Sequence, residues 1–405
     1  MKKFTVLLLI IFPYFLSAQD WGIKFNGFVK TDAMFDTRQN VAAREGHFLL
    51  FPMDVKEVEG GDVNETMNFN MLSIQTRITG KITAPDFLGA KTTGMIEGAF
   101  FGHTNPDING FRLRHAFVNL DWGTSELLIG QYWAPLFIDE AFAKSISFNT
   151  GTPFQPFTRN PQIRYTYKAD KFHANIAAYS ERDFASMGPD FSTSPTGETS
   201  TYLRNAVLPI LNLGLKYNTG SLLFAVNANY KSLRPRLLTA LNHIDENKVN
   251  AMTFNGAIKY YQDDFFVTVQ GLYGQNTSSL TMLGGYGVSA VDSATGMWEY
   301  APLNTFSGFI DMEYGKVWKV GLIGGFSKNL GADKDIVGAT YARGENIDNV
   351  LRISPRLSYR TGMTQFSTEL EMTQAAYGTP NSKGAVENTH DVMNIRVLFA
   401  ALLFF

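Results

Sequence analysis

Apolar and polar side chains alternate with a period of two, in segment after segment, along almost the whole chain. A strand must read this way when one face meets an apolar medium and the other meets water. Ile23, Phe25, Gly27, Val29, Thr31, Ala33 and Phe35 stand against Lys24, Asn26, Phe28, Lys30, Asp32, Met34 and Asp36. Leu72, Ile74, Thr76, Ile78 and Ile82 stand against Ser73, Gln75, Arg77, Thr79 and Lys81. About sixteen such segments follow one another, an even number, as bacterial membrane barrels require. They lie near 22–36, 68–83, 91–102, 111–122, 126–134, 161–169, 172–181, 208–218, 222–232, 250–261, 264–274, 303–314, 317–327, 350–361, 364–374 and 392–405. Short turns, such as 169–171, 218–221 and 262–263, alternate with much longer connections. The pattern predicts an all-β fold: a transmembrane, antiparallel, up-and-down β-barrel with short periplasmic turns and long external loops.

The first eighteen residues fit export. Lys2 and Lys3 precede an apolar run from Phe4 to Leu16, which is short for a membrane helix, and Ser17 and Ala18 are small. Residues 1–18 are therefore expected to be a cleaved signal peptide, and 19–405 the barrel domain, integral to the outer membrane of a Gram-negative cell. None of the 405 residues is Cys, which closes the lipoprotein route, disulfide scaffolds and thiolate metal sites. No later stretch approaches the roughly twenty apolar residues of a membrane helix. A net charge of −2 offers nothing to nucleic acid.

Aromatic residues are expected at the two membrane interfaces. Trp21, Trp122, Tyr165, Tyr167, Tyr217, Tyr260, Tyr314, Trp318 and Tyr359 fall at the predicted periplasmic ends. Phe35, Phe69, Phe100, Trp133, Tyr179, Tyr230, Tyr273 and Phe326 fall at the opposite ends. The last segment carries Met393, Ile395, Val397, Phe399, Ala401, Leu403 and Phe405 on one parity. Ending on Phe405, it is similar to the C-terminal signal read by the barrel-assembly machinery.

The stretches Gly27–Asp36, Arg112–Val118 and Leu127–Pro135 resemble the DcaP-like porins, distant relatives of the phosphate-selective porins. The likeness is densest in the first third of the chain. It implies a homotrimer of sixteen-stranded barrels with the third external loop folded inward. The coiled-coil stalk of some relatives is not expected, since the first strand starts near Trp21.

In a channel of this type charged side chains lining the lumen select the solute. Parity directs Lys24, Lys30, Arg77, Arg112, Arg114, Arg164, Lys216, Lys231, Lys259, Arg352, Arg356, Arg360 and Arg396 inward, with the acidic residues Asp32, Glu97, Asp311, Glu313, Glu369 and Glu371. The row Arg352, Arg356, Arg360 reads as a stepwise anion path, because guanidinium presents a fixed fork of donors to carboxylate or phosphate. The competing reading pairs these arginines with the acidic residues as wall stiffening. Residues 135–160 form the candidate constriction loop: their Phe content would be costly in water, and Asp139, Glu140, Lys144 and Arg159 would line the narrowing; the first external loop, Thr37 to Met67, is similarly long and is the alternative.

The six histidines, at 47, 103, 115, 173, 243 and 390, sit in no nucleophile motif and read as isolated surface residues. Gly284–Gly287 falls in a predicted loop, which does not suit phosphate cradling. No enzyme activity, cofactor or metal is expected. The expectation is a porin for passive diffusion of small polar solutes, leaning to anions such as organic acids or phosphate, with lipid, solute and sister subunits as partners. The alternative is a surface adhesin or structural barrel without significant transport.

Overall fold

The computed structural model describes residues 21–102, 105–189 and 197–405. The expected signal peptide and His103 lie outside the described residues.

Nineteen strand segments form one continuous antiparallel sheet, and sixteen of them are the staves of a closed barrel. In chain order the staves are β1 (Gly22–Asp36), β2 (Arg77–Phe87), β3 (Ala90–Ala99), β4 (Arg112–Asp121), β5 (Ser125–Trp133), β6 (Arg159–Ala169), β7 (Phe172–Tyr179) and β8 (Ile210–Asn218). They continue with β9 (Leu222–Leu233), β10 (Val249–Gln262), β11 (Phe265–Gln275), β12 (Trp298–Tyr314), β13 (Trp318–Ala332), β14 (Ile347–Thr361), β15 (Thr364–Pro380) and β16 (Val386–Phe404). Closure comes from β1 against β16, with Phe28 opposite Phe404 and Asp36 opposite Arg396. Closing the sheet gives each stave a hydrogen-bonded neighbour on both sides, the condition for strands to survive in hydrocarbon.

The alternation puts apolar side chains outside and polar ones inside, the reverse of a soluble core. On β14, Leu351, Ile353 and Leu357 are 40–44% exposed, whereas Arg352, Ser354, Arg356 and Ser358 are at most 3% exposed. Staves are joined at one end by tight turns. Leu88 and Gly89, both with positive φ, make a two-residue hairpin whose twist matches that of the flanking strands.

Three expectations need correction. The second stave is broken: Asn68–Leu72 pairs with the upper half of β1 and Arg77–Phe87 with the lower half, and 73–76 leave the ladder. Leu72 stands opposite Asp32 and Arg77 opposite Phe28, so five steps on one strand match four on the other and parity reverses. Phe69 and Met71 therefore point outward, while Leu72 and Ile74, expected on the lipid side, join the interior. In the outer aromatic belt, Tyr179 and Trp133 turn inward. Tyr179 lies on the lumenal parity of β7 and donates to Asn229 Oδ1 at 3.0 Å; Trp133 stacks on Phe137 with centroids 4.0 Å apart, drawn in by the loop that starts beside it. Lastly, Gly284–Val291 is a strand, which pairs with Trp298–Pro302 of β12 and with Thr340–Arg343 and extends the wall past the end of β11.

Two external loops enter the barrel. Residues 37–67 send in a hairpin, Asn40–Ala43 paired with Phe48–Pro52, and residues 134–158 follow β5. Phe48, Leu50 and Phe51 of the first loop pack with Phe137, Phe148, Phe154 and Phe157 of the second. Together they fill part of the lumen with an apolar cluster that also touches Val350 and Tyr377 of the wall and Phe101 of the loop after β3. Burying these side chains is worth roughly 1.5–3 kcal/mol each, which explains why the loops do not splay into water.

Candidate functional site

The 134–158 loop crosses from β5 to the opposite wall because its backbone amides and carbonyls find charged partners there. Asn255 and Lys259 of β10 donate to the carbonyls of Leu136 and Glu140 at 2.6 and 2.8 Å. The Lys144 amide donates to Asp311 Oδ2 at 2.7 Å, and the amides of Ile146 and Ser147 donate to Glu369 Oε2 at 2.6 and 2.8 Å. Glu371 accepts from Asn149, and Lys30 of β1 donates to the Ile146 carbonyl at 2.6 Å. Wall charges that parity sends inward are thus spent largely on holding the loop, through charge-assisted bonds to its otherwise unsatisfied backbone.

The arginine row divides accordingly. Arg352 donates to Thr373 Oγ1, the Thr152 carbonyl and the Leu50 carbonyl at 2.7–2.9 Å, tying both inward loops to β14. Arg356 is clamped by Asp311 at 2.8 Å and Glu313 at 3.1 Å. Arg360 is exposed near the periplasmic mouth and lies 4.1 Å over the Phe404 ring. Arg396 bonds Asp36 at 2.7 Å and the Gly46 carbonyl. Lys30 pairs with Asp32 at 3.1 Å, Lys231 with Glu181 at 3.6 Å, Lys216 with Glu140, and Lys24 is exposed. Arg159 is the first residue of β6 rather than part of the constriction. With Arg112 it grips Asp183, a loop residue that parity could not reveal.

Two cavities lie beside the crossing loop. One, about 480 Å³, is lined by Arg77, Arg114, His115, Glu97, Ser147 and aromatic rings including Phe28 and Phe142. Arg114 Nε meets Glu97 Oε1 at 2.7 Å, and Arg77 Nε lies 3.7 Å from the same oxygen. One carboxylate thus serves two guanidiniums. Arg77 Nε, Arg114 Nη1 and Ser147 Oγ are buried without a hydrogen-bond partner among the described residues. The other cavity, about 560 Å³, contains Arg164, Lys168, Lys216, Glu126, Asp139 and Glu140 with a set of amides. Arg164 donates to Gln162 Oε1 at 2.9 Å and the Trp133 carbonyl at 2.6 Å. On the loop, burial and the neighbouring Glu140 lift the Asp139 carboxyl to about 7. Burial lowers Lys144 to about 8, and its ammonium lies 3.7 Å over the Phe142 ring.

Two histidines are not surface residues. His47, on the inserted hairpin, is fully buried and meets Asp32 at 2.7 Å, its pKa held below the ordinary range by burial. His115 is buried 3.7 Å from Glu97. The run Phe48–Pro52 was the available signal for the first: five consecutive apolar residues are out of place in a solvated loop. His115 became inward through a bulge, where Glu97 faces His115 while Gly98 faces Leu113, and no periodicity reveals that.

A closed sixteen-stave barrel with an apolar exterior, a charged lumen and an inward third loop has the fold of the outer-membrane porins. Among solved structures it is similar to the outer-membrane channel DcaP of Acinetobacter baumannii, with a TM-score of 0.70 and 16% identity over 95% of this chain and 97% of that one. It is also similar to an anion-selective porin from Comamonas acidovorans, at 0.56 and 11% over 95% and 100%. OmpT, an outer-membrane protein of Vibrio cholerae in its trimer form, aligns at 0.55 and 11% over 96% and 100%. No protein-family model matches the sequence, and no curated protein matches it significantly.

Proposed function

We propose that this protein is an outer-membrane diffusion channel for small polar solutes with a preference for anions. The observation that carries the preference is the cavity at Arg77, Arg114 and Ser147, where buried donors outnumber the acceptors that Glu97 supplies. An incoming carboxylate or phosphate would complete that set with charge-assisted bonds. Lys144 and Lys259 add positive charge without a carboxylate in direct contact among the described residues, and the loop carrying Asp139, Glu140 and Lys144 acts as the constriction. The row Arg352, Arg356, Arg360 is secondary, since its two upper members are engaged in the wall. The likeness to an anion-selective porin supports the preference, and the likeness to a trimeric outer-membrane protein supports a homotrimer. Export through residues 1–18 and assembly through the strand ending at Phe405 belong to the same reading.

The test is the reversal potential of the purified, folded protein in a planar bilayer under a KCl gradient. Steady channels with anion preference, reduced in Arg77→Ala/Arg114→Ala, are expected. Cation preference would overturn the anionic reading, and absence of channels would overturn transport altogether in favour of an adhesin.

A further inference from the structure

The larger cavity differs in chemistry from the arginine site. Its charges are balanced and engaged: Lys168 is held by Asp121 at 2.8 Å and Glu126 at 3.2 Å, Lys216 by Glu140, and Arg164 by an amide and a backbone carbonyl. What remains open is neutral. Asn119 Oδ1 and Asn175 Oδ1 are buried with no hydrogen-bond partner among the described residues.

Asn175, Gly214 and Asn227 stand directly opposite one another on β7, β8 and β9, in a cross-strand row. A Cβ on Gly214 would fall 2.4 Å from Asn175 Nδ2 and 2.4 Å from Asn227 Oδ1. The glycine is thus what lets the two amides lean toward each other over the wall, presenting a donor beside an acceptor. The same cavity is lined by Phe117 and Tyr132, packed edge to face at 5.1 Å, and by Phe137 from the crossing loop.

From this we infer that the cavity is a binding site for a neutral saccharide of one or two rings. Primary amides offer both donor and acceptor capacity, which matches the adjacent hydroxyls of a sugar. The apolar lining supplied by Phe117, Leu128 and Ile138 matches the C–H face of a pyranose, which is apolar while its rim is polar. No ion has to be stripped of water, so the engaged Lys168 and Lys216 do not need to leave their partners. About 560 Å³ lies within the roughly 300–1,000 Å³ of small-molecule sites. The transport consequence, a sugar route beside the anion site, rests on the channel reading; the binding itself does not.

Two measurements separate them. Maltose, added to the purified full-length protein in a planar bilayer, is expected to block the ion current in a saturable manner. Asn175→Leu and Gly214→Val are each expected to raise the half-blocking concentration about tenfold, as loss of one or two hydrogen bonds would. Asn175→Leu keeps the test valid if the valine hinders folding. Calorimetric titration of maltose into the detergent-solubilised protein reads binding without conduction. Binding without channels would support the site and overturn only the transport reading. Steady channels with neither block nor binding heat would overturn the site alone. Equal block by tetraethylene glycol, or block unchanged in both variants, would also overturn it.

Discussion

The Tyr132 hydroxyl donates to Asp139 Oδ2 at 2.8 Å, and these two side chains line both cavities. The bond joins the end of β5 to the crossing loop, at the ridge between the arginine-rich compartment and the amide-rich one. Any charge change there acts on both compartments.

Asp139 takes up a proton as pH falls through about 7, because burial and Glu140 raise its pKa. The two carboxyls titrate as a unit, with Glu140 the member that keeps its charge. Lys144 loses its charge as pH rises through about 8. Both changes make the constriction more positive at lower pH. Anion preference should therefore increase from pH 9 to pH 6, read as reversal potential at each pH. In Asp139→Asn the part near pH 7 should vanish and the part near pH 8 should persist.

Arg356→Ala should destabilise the barrel by about 3–5 kcal/mol, since Asp311 and Glu313 would lose the cation they share inside the wall. Denaturant titration of the protein in lipid vesicles measures it. Anion preference should change far less than in Arg77→Ala/Arg114→Ala; an equal loss would restore the arginine row as the selectivity element.

Replacing Gly46–Phe51 by a glycine–serine linker should raise the unitary conductance. The change removes Phe48, Leu50 and Phe51 from the lumenal cluster, together with the His47–Asp32 contact that fastens the hairpin. An unchanged conductance would mean that ions pass wholly through the space beside the hairpin.

Leu357→Arg, on the outer face of β14 between the levels of the belt residues Tyr359 and Phe326, should cost about 2–4 kcal/mol. The same denaturant titration reads it. A variant as stable as wild type would remove Leu357 from the lipid face.

Much of the architecture was legible because a membrane barrel writes its geometry locally. Every stave must alternate for its own sake, and each of the sixteen predicted segments overlaps one stave. The short turns were legible for the same reason, since two or three residues must reverse the chain. Parity also placed Arg352, Arg356, Glu369 and Asp311 inside, where they are found buried. It could not say what they do there.

That question depends on residues far apart in sequence. Glu369 meets the amides of Ile146 and Ser147, and Arg352 meets the carbonyls of Leu50 and Thr152. Parity broke where the ladder itself broke, at residues 73–76 and at the bulge beside His115, because one extra residue exchanges the two faces. A period of two was enough to dictate a barrel of about sixteen staves and, wherever the ladder is unbroken, which wall residues look inward. Which charges are engaged and which remain open was set by long-range packing, because pairing depends on where the inward loops come to rest.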